Sequence, residues 1–320
     1  MKIAVLGRTR HIIHWPEDAV AAFRADGHDA RLFATRNPAI AKPLEHLLLS
    51  ERIGAPKATW MARSLAKFAP DLILVTGADR CPPVILDAIG ALPNRPPLVG
   101  WVGDTFDSSK AAPLGCFDVV AYTDSGLLAL HAQYGVRSRS AFMPHAAPLQ
   151  RVVAGDQPGA RIPLLAFVAS RTDNRLRVLQ QLRSPIALFG PEWHDRPEVA
   201  HHECHIRRVP AEELAAIYTG HLAVLNIRNE KHVLHGLNQR SFAPYVYGAP
   251  VVTDPQPDLE QCFEPGREVL VYRDADELAE LYAMLRRDPA RAAAVGKRGA
   301  QRVEADHTYA RRLQTFMSLV

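Results

Sequence analysis

Long apolar runs are missing from this 320-residue chain. None approaches the ~18 residues that a membrane-spanning helix needs, so no integral membrane segment is expected. Cysteine is scarce. Cys81, Cys116, Cys204 and Cys262 stand far apart with no C-x-x-C pair, which argues against a disulfide framework and for a reducing compartment. A dominant charge is lacking too. Thirty-eight basic against 34 acidic residues leave a formal +4, too mild and dispersed for nucleic-acid binding but compatible with a local anion site. The opening MKIAVLGRTR is apolar for only five residues before it turns basic, unlike a signal peptide, and a cytoplasmic protein is expected.

Several catalytic signatures are also absent. Gly7-Arg8-Thr9-Arg10 follows the first apolar run in place of G-x-G-x-x-G, which weighs against a nicotinamide or flavin dehydrogenase. There is no phosphate-binding G-x-x-x-x-G-K-[ST], no G-x-S-x-G and no H-E-x-x-H. Hydride transfer, kinase chemistry and serine hydrolysis therefore have no local support.

What is present points to an α/β protein. Hydrophobic residues at 48% and charged ones at 22% are ordinary globular values, and the length suits two domains. Short runs, mostly Leu and β-branched residues and apolar on both faces, recur along the chain: Ile3 to Leu6, Leu72 to Val75, Leu98 to Val102, Val119 to Tyr122, Leu164 to Val168, Ile186 to Phe189, Leu222 to Ile227, Val251 to Thr253 and Val269 to Tyr272. Such runs predict strands buried between helix layers. Helical patterns separate them, at Pro16 to Asp26, Ala58 to Phe68, Ser125 to Tyr134, Glu212 to Tyr218 and Asp276 to Arg287. This alternation predicts doubly wound parallel sheets, whose ligands bind beyond the carboxyl ends of the strands. A Pro-, Gly- and polar-rich stretch between Pro148 and Pro163 is the expected linker, dividing the chain into residues 1–150 and 160–305. Residues 306–320, with Asp306-His307-Thr308-Tyr309 ahead of ARRLQTFMSL, predict a capped amphipathic helix with Leu313, Phe316 and Met317 packed and Arg311 and Arg312 solvated.

The stretch GLNQRSFAPYVYGAPVVTD carries the most chemistry. Gly236 opens and Gly248 closes an expected helix; amide groups at its start would form an anion site, with Arg240 one turn in as a fixed positive charge. Plain helix boundaries and a solvated arginine are the competing explanation.

That stretch, together with DLEQCFEPGREVLVYRDADEL, EADHTYARRL and, upstream, FVASRTDNRLRVLQQL, FGPEW and RVPAEELAAIYTGHLAVLNIR, resembles the group 1 glycosyltransferase domain of the CgeB-like family. GWVGDTFD and VVAYTDSGLLALHAQYGV, ahead of MPHAAP, are similar to the family's weaker N-terminal domain. The resemblance implies a GT-B fold: two Rossmann-like domains facing a central cleft, residues 1–150 on the acceptor side, residues 160–305 on the nucleotide-sugar side, and residues 306–320 returning to the first domain. It implies a nucleotide-diphosphate-sugar donor bound by Arg171, Arg175, Asn226, Gly236, Leu237, Asn238 and Arg240. The acceptor would be a glycan, a lipid-linked molecule or a small molecule bearing a hydroxyl. Guanidinium groups suit phosphate oxygens, and the resemblance implies a fold that neutralises the leaving diphosphate with side chains and a helix dipole, so neither metal nor cofactor is expected. Related enzymes mostly retain configuration at the sugar. The chain departs from the family at Ala243, where a Glu hydrogen-bonds the ribose, and at His235, where relatives often carry an acid; Asp254, Asp258 and Glu260 are the candidates to compensate.

Toward the acceptor, Asp104 just past a strand is the candidate general base, with His11 and His14 in the first loop as secondary candidates and His145, near the crossover between the halves, as a third. An Asx turn is the alternative role for Asp104. Two metal-like patterns have simpler explanations. Asp274-Ala275-Asp276 precedes a helical pattern, so Asp274 is expected to be an N-cap. His201-His202-Glu203-Cys204-His205 is expected to include a short strand with alternating faces. A nucleotide-sugar epimerase, or a nucleotide-sugar-binding protein without turnover, remain alternatives to the transferase.

Overall fold

A computed structural model of the chain describes residues 1–9, 15–36, 55–148 and 161–320. His11, His14 and linker positions 149–160 lie outside the described residues. The chain divides into two compact units, Met1–Pro144 with Tyr309–Val320, and His145–Thr308.

The first unit is built on strands Lys2–Arg8 (β1), Asp29–Arg36 (β2), Leu72–Thr76 (β3), Leu98–Val102 (β4), Val119–Tyr122 (β5) and Arg139–Phe142 (β6). They form one sheet in the order β2-β1-β3-β4-β5-β6, and every recorded pairing is parallel. Helices Trp15–Ala25 (α1), Ala55–Phe68 (α2), Pro83–Gly90 (α3) and Gly126–Gln133 (α4) connect them. The order reverses between β1 and β3, which places a ligand crevice at their carboxyl ends. Leu98, Val99, Trp101 and Val102 of β4 are all buried, as the unbroken apolar run requires. Each such side chain contributes ~1.5–3 kcal/mol of burial.

The second unit holds Ile162–Val168 (β7), Ala187–Phe189 (β8), Glu203–His205 (β9), His221–Asn226 (β10), Val251–Thr253 (β11) and Leu270–Val271 (β12). Their order is β12-β11-β10-β7-β8-β9, again with parallel pairings. Its helices include Asp173–Gln181 (α5), Leu214–Gly220 (α6), Ala275–Arg287 (α7) and Pro289–Asp306 (α8). Here the reversal falls between β7 and β10. Each apolar run named above contains or overlaps a strand, with Ile186, Ile227, Val269 and Tyr272 falling just outside.

The terminal helix Tyr309–Leu319 (α9) belongs to the first unit. Its Tyr309 and Phe316 meet the buried Trp101 ring edge-on at 6.2 and 5.3 Å, and Trp15 of α1 meets it at 4.8 Å. Two expectations for this helix are corrected. Arg312 is buried, not solvated, because its Nε donates to the Pro144 carbonyl at 2.7 Å, giving the guanidinium a partner inside. Met317 is 38% exposed, one position beyond the packed face.

Asp274 caps α7. Its Oδ1 accepts from the backbone of Asp276 at 3.0 Å and Glu277 at 2.9 Å, while Glu277 accepts in return from the Arg273 amide at 2.8 Å. The Asp274 cap satisfies two otherwise orphaned helix donors. Asp274→Ala is expected to cost about 1 kcal/mol, read as a lowered urea midpoint at constant slope. The HHECH segment is structural. His201 and His202 approach the carbonyls of Leu182 and Leu179 at 2.8 and 3.0 Å, and burial pushes His202 down to about 4. Among the described residues, no helix is long and apolar enough to cross a membrane, and no group of three His, Cys, Asp or Glu is placed to hold a metal ion.

Candidate functional site

The carboxyl ends of β7, β10 and β11 lie side by side in the second unit, at its strand-order reversal. Asn226, the last residue of β10, is fully buried. Its amide nitrogen donates to Ser241 Oγ at 3.1 Å and Thr253 Oγ1 at 3.2 Å. Its Oδ1 accepts from Asn238 Nδ2 at 3.0 Å and from Arg240 Nε at 3.4 Å. The Asn226 amide is thus fully engaged by protein. Its Oδ1 helps to aim Arg240.

The expected helix from Gly236 to Gly248 is not formed. The chain instead makes two 3-10 turns, Gln239–Ser241 and Ala243–Tyr247. Pro244 explains the break, since it has no N–H to continue an α-helical ladder and its ring clashes with the preceding turn. Asn238 is the N-cap, its Oδ1 accepting from the Arg240 amide at 2.9 Å. This segment contributes no α-helix dipole, so the positive charge it brings is the Arg240 side chain. Leu237 is 3% exposed and packs with Phe242 and Val251 in the core. Gly236 is buried, leaving only backbone groups of this pair to meet a ligand.

Arg175, in the first turn of α5, is 2% exposed. Its Nε donates to the Ile227 carbonyl at 3.0 Å and its Nη1 to the Ser170 carbonyl at 2.9 Å. Burial and the neighbouring Arg240 guanidinium lower its pKa, while Asp254 and Tyr272 oppose the shift. Arg240 is likewise lowered by burial and supported by Tyr218 and Asp254. Among the described residues, Arg175 Nη2 and both terminal nitrogens of Arg240 make no hydrogen bond to protein. Two guanidinium groups therefore press on each other electrostatically with donors left over, an arrangement that a dianion relieves.

Asp254, following β11, is the carboxylate nearest in effect. It accepts from the Arg228 amide at 3.0 Å and from Gln256 Nε2 at 2.8 Å, with Arg228 Nε at 3.6 Å from its second oxygen. Burial raises its pKa against these partners. Arg171 lies in the same β7 loop but faces Asp173 at 3.5 Å, and shares no bond with Arg240 among the described residues. Ala243 begins the second 3-10 turn, half-buried; Asp258 is buried and accepts from Gln261, and Glu260 is exposed. The His235 carbonyl accepts from the Asp258 amide at 3.1 Å.

Ser241, Thr253 and Arg228 were not singled out by sequence reasoning. Only Thr253 and Asp254 had a visible signal, as the polar end of the apolar VVT run.

In the first unit, Asp104 follows β4 and accepts from Arg80 Nη2. Arg80 Nε also stands 3.3 Å from Asp79, a buried carboxylate that sequence reasoning passed over. His145, at the start of the second unit, is 6% exposed.

Residues 171–318 match the model of a family described as glycosyl transferase-like. Sucrose-phosphate synthase of Thermosynechococcus elongatus is 15% identical, with 99% of this chain and 97% of that one aligned at a TM-score of 0.68. HepE of Anabaena, in a complex with UDP and glucose, is 12% identical over 100% of both chains at 0.67. A Listeria monocytogenes protein assigned as a UDP-N-acetylglucosamine 2-epimerase is 14% identical over 99% of this chain and 96% of that one at 0.57. None of the curated proteins compared matches the chain. The chain has the fold of the GT-B glycosyltransferases. The family match and the structural neighbours together support a glycosyltransferase of GT-B type.

Proposed function

We propose that this protein transfers a sugar from a nucleotide-diphosphate donor, UDP-linked in the first instance, to a hydroxyl-bearing acceptor, and that it stands in the CgeB-like group. One observation carries the reading: Arg175 and Arg240 bring uncompensated guanidinium donors together at the strand-order reversal of the second unit. A diphosphate supplies about two negative charges there. As the sugar–phosphate bond breaks, charge builds on the leaving diphosphate, and preoriented cations stabilise that state more than the bound donor. UDP enters the proposal through the HepE complex, since this chain is similar to it in fold.

In its finer parts the proposal takes the leaving charge to be neutralised without metal, retention of configuration to follow the family, and Asp104 to assist the acceptor hydroxyl. Titration calorimetry with UDP and UDP-glucose in chelator-containing buffer is the test. Saturable binding that magnesium does not strengthen is the expected result. No binding of UDP or of any other nucleoside diphosphate sinks the reading.

Epimerisation is the second reading, favoured by the likeness to the Listeria protein. Proton NMR of UDP-sugars incubated with the protein alone separates the two. An isomerised donor decides for the epimerase; with a panel of acceptors added, release of the nucleoside diphosphate decides for transfer, and binding without any product in either condition decides for a protein that has lost turnover, for which Ala243 is the motive.

A further inference from the structure

Helices α2 and α3 pack into one core with the first sheet. Met61, Leu65 and Phe68 enter it from α2, and Ile85, Leu86 and Ile89 from α3, all of them buried. That spacing commits one face of each helix to the interior. Two apolar features nevertheless stay outside. The first is Trp60, 60% exposed, more than any other large apolar side chain among the described residues. Alone it would call for no explanation, since single surface apolar residues are ordinary.

The second feature is a groove of about 600 Å³ between the two helices. Small side chains form its walls: Ala58, Ala62 and Ala66 at four-residue spacing on α2, and Val84 and Ala88 on α3. Short side chains on both helices leave a hollow large enough for an indole ring. Trp60 cannot fill the hollow of its own chain. It stands two residues from both Ala58 and Ala62, about 200° round the helix, and so projects from the far flank. The rim of the groove is charged. Arg63 on α2 and Asp87 on α3 stand on opposite walls, and neither makes an ion pair among the described residues.

We propose that α2 and α3 form a two-fold interface between copies of this chain, with Trp60 of each seated in the alanine-lined groove of the other and Arg63 of each paired with Asp87 of the other. A two-fold contact requires a surface complementary to itself. This helix pair carries both halves of the fit in shape, a knob and a hollow, and both in charge, one cation and one anion. A foreign partner would need only one half of each. An aromatic ring in a partner's pocket is also the kind of contact that dominates binding energy. None of these residues belongs to the donor site of the second unit, so the interface stands whether or not a sugar is transferred.

An anionic bilayer is the competing occupant, because Arg63 and Lys67 follow Trp60 along the exposed side of α2. Three features decide against it. A flat surface fills no groove, Asp87 meets it with the wrong sign, and one tryptophan is a thin anchor where an interfacial helix needs an apolar face.

Sedimentation-velocity ultracentrifugation of the full chain over about 1–100 μM tests this. A monomer–dimer equilibrium is expected. Trp60→Ala, and from the groove side Ala62→Leu, are each expected to weaken it about tenfold or more. Arg63→Glu and Asp87→Arg should each weaken it too, because like charges then meet across the interface. Combined in one chain, the two reversals are expected to restore association, since the pair is rebuilt with its signs exchanged; a change that merely loosened the fold would give no such rescue. Circular dichroism confirms that each variant is folded. Three results overturn the proposal: a monomer throughout that range, a dimer that Trp60→Ala leaves unchanged, or a double charge variant that associates no better than the single ones. Co-sedimentation of a monomeric protein with phosphatidylglycerol–phosphatidylcholine vesicles, lost in Trp60→Ala, also overturns it, in favour of a bilayer surface.

Discussion

Arg240→Ala is expected to weaken UDP binding by ten- to a hundredfold and to lower turnover further. The two terminal nitrogens that make no protein bond among the described residues are the groups lost. A hydrogen bond to a charged group contributes roughly 1.5–3 kcal/mol, which is about ten- to a hundredfold per bond. Turnover falls more than affinity because the leaving diphosphate gains charge only as the bond breaks; removing one such donor typically costs about a hundred- to a thousandfold in rate. Arg240→Lys should recover part of the affinity through its charge but less of the rate, because an ammonium lacks the planar pair of donors. Asn226→Ala supplies the geometric control. Asn226 touches Arg240 at 3.4 Å and is fully buried, so its loss should lower affinity only by letting Arg240 wander. Arg171→Ala, with its guanidinium turned to Asp173, is expected to change affinity little. Calorimetry measures all four. Unchanged UDP affinity in a folded Arg240→Ala would falsify the assignment of this residue to the donor site.

The sheets were legible in the sequence for a specific reason. A strand flanked on both sides is apolar on both faces, and LILVT, LVGWV and HLAVLN announce themselves. The strands that escaped notice, Asp29–Arg36 and Arg139–Phe142, are the two edges of the first sheet. Edge strands carry charge as a matter of course, and DARLFATR and RSAF do not form apolar runs. The site divides along a similar line. Arginine is conspicuous by type, so Arg175 and Arg240 stand out in the sequence. What each does is not visible there, because the Asn226 amide that aims Arg240, and the carbonyls of Ile227 and Ser170 that hold Arg175, are contacts of a folded chain. Asp79-Arg80 carries a signal of its own, a charged pair separated by two residues from a buried strand. Pro244 also stood in plain view, and it should have broken the helix drawn through it.

Gly299→Ala is expected to destabilise the second unit by about 3 kcal/mol and to carry the donor site with it. Helix α8 presents Gly296 and Gly299 on one face, three residues apart, toward the 3-10 turn that follows Arg240. A Cβ at 299 would lie 2.1 Å from Cε1 of Tyr245. That ring has nowhere to go: it is 1% exposed, tilted against Phe263 at 5.3 Å, and its hydroxyl donates to the Glu268 carbonyl at 2.6 Å. A Cβ at 296 would meet the Gly248 carbonyl oxygen at 2.4 Å, a backbone atom with no rotamer to change. Helix propensity favours alanine by about 1 kcal/mol at such positions, so any net loss measures overpacking. The displaced element is the turn Ala243–Tyr247, which shares its flanking Phe242 with the Asn238–Ser241 cap. Gly299→Ala should therefore lower both the thermal midpoint and UDP affinity, whereas Asp274→Ala, whose cap lies on α7, should lower only the first. A Gly299→Ala protein that melts at the wild-type temperature and binds UDP normally would show that α8 yields to Tyr245 at little cost, and that the close approach of helix and turn does not set the position of Arg240.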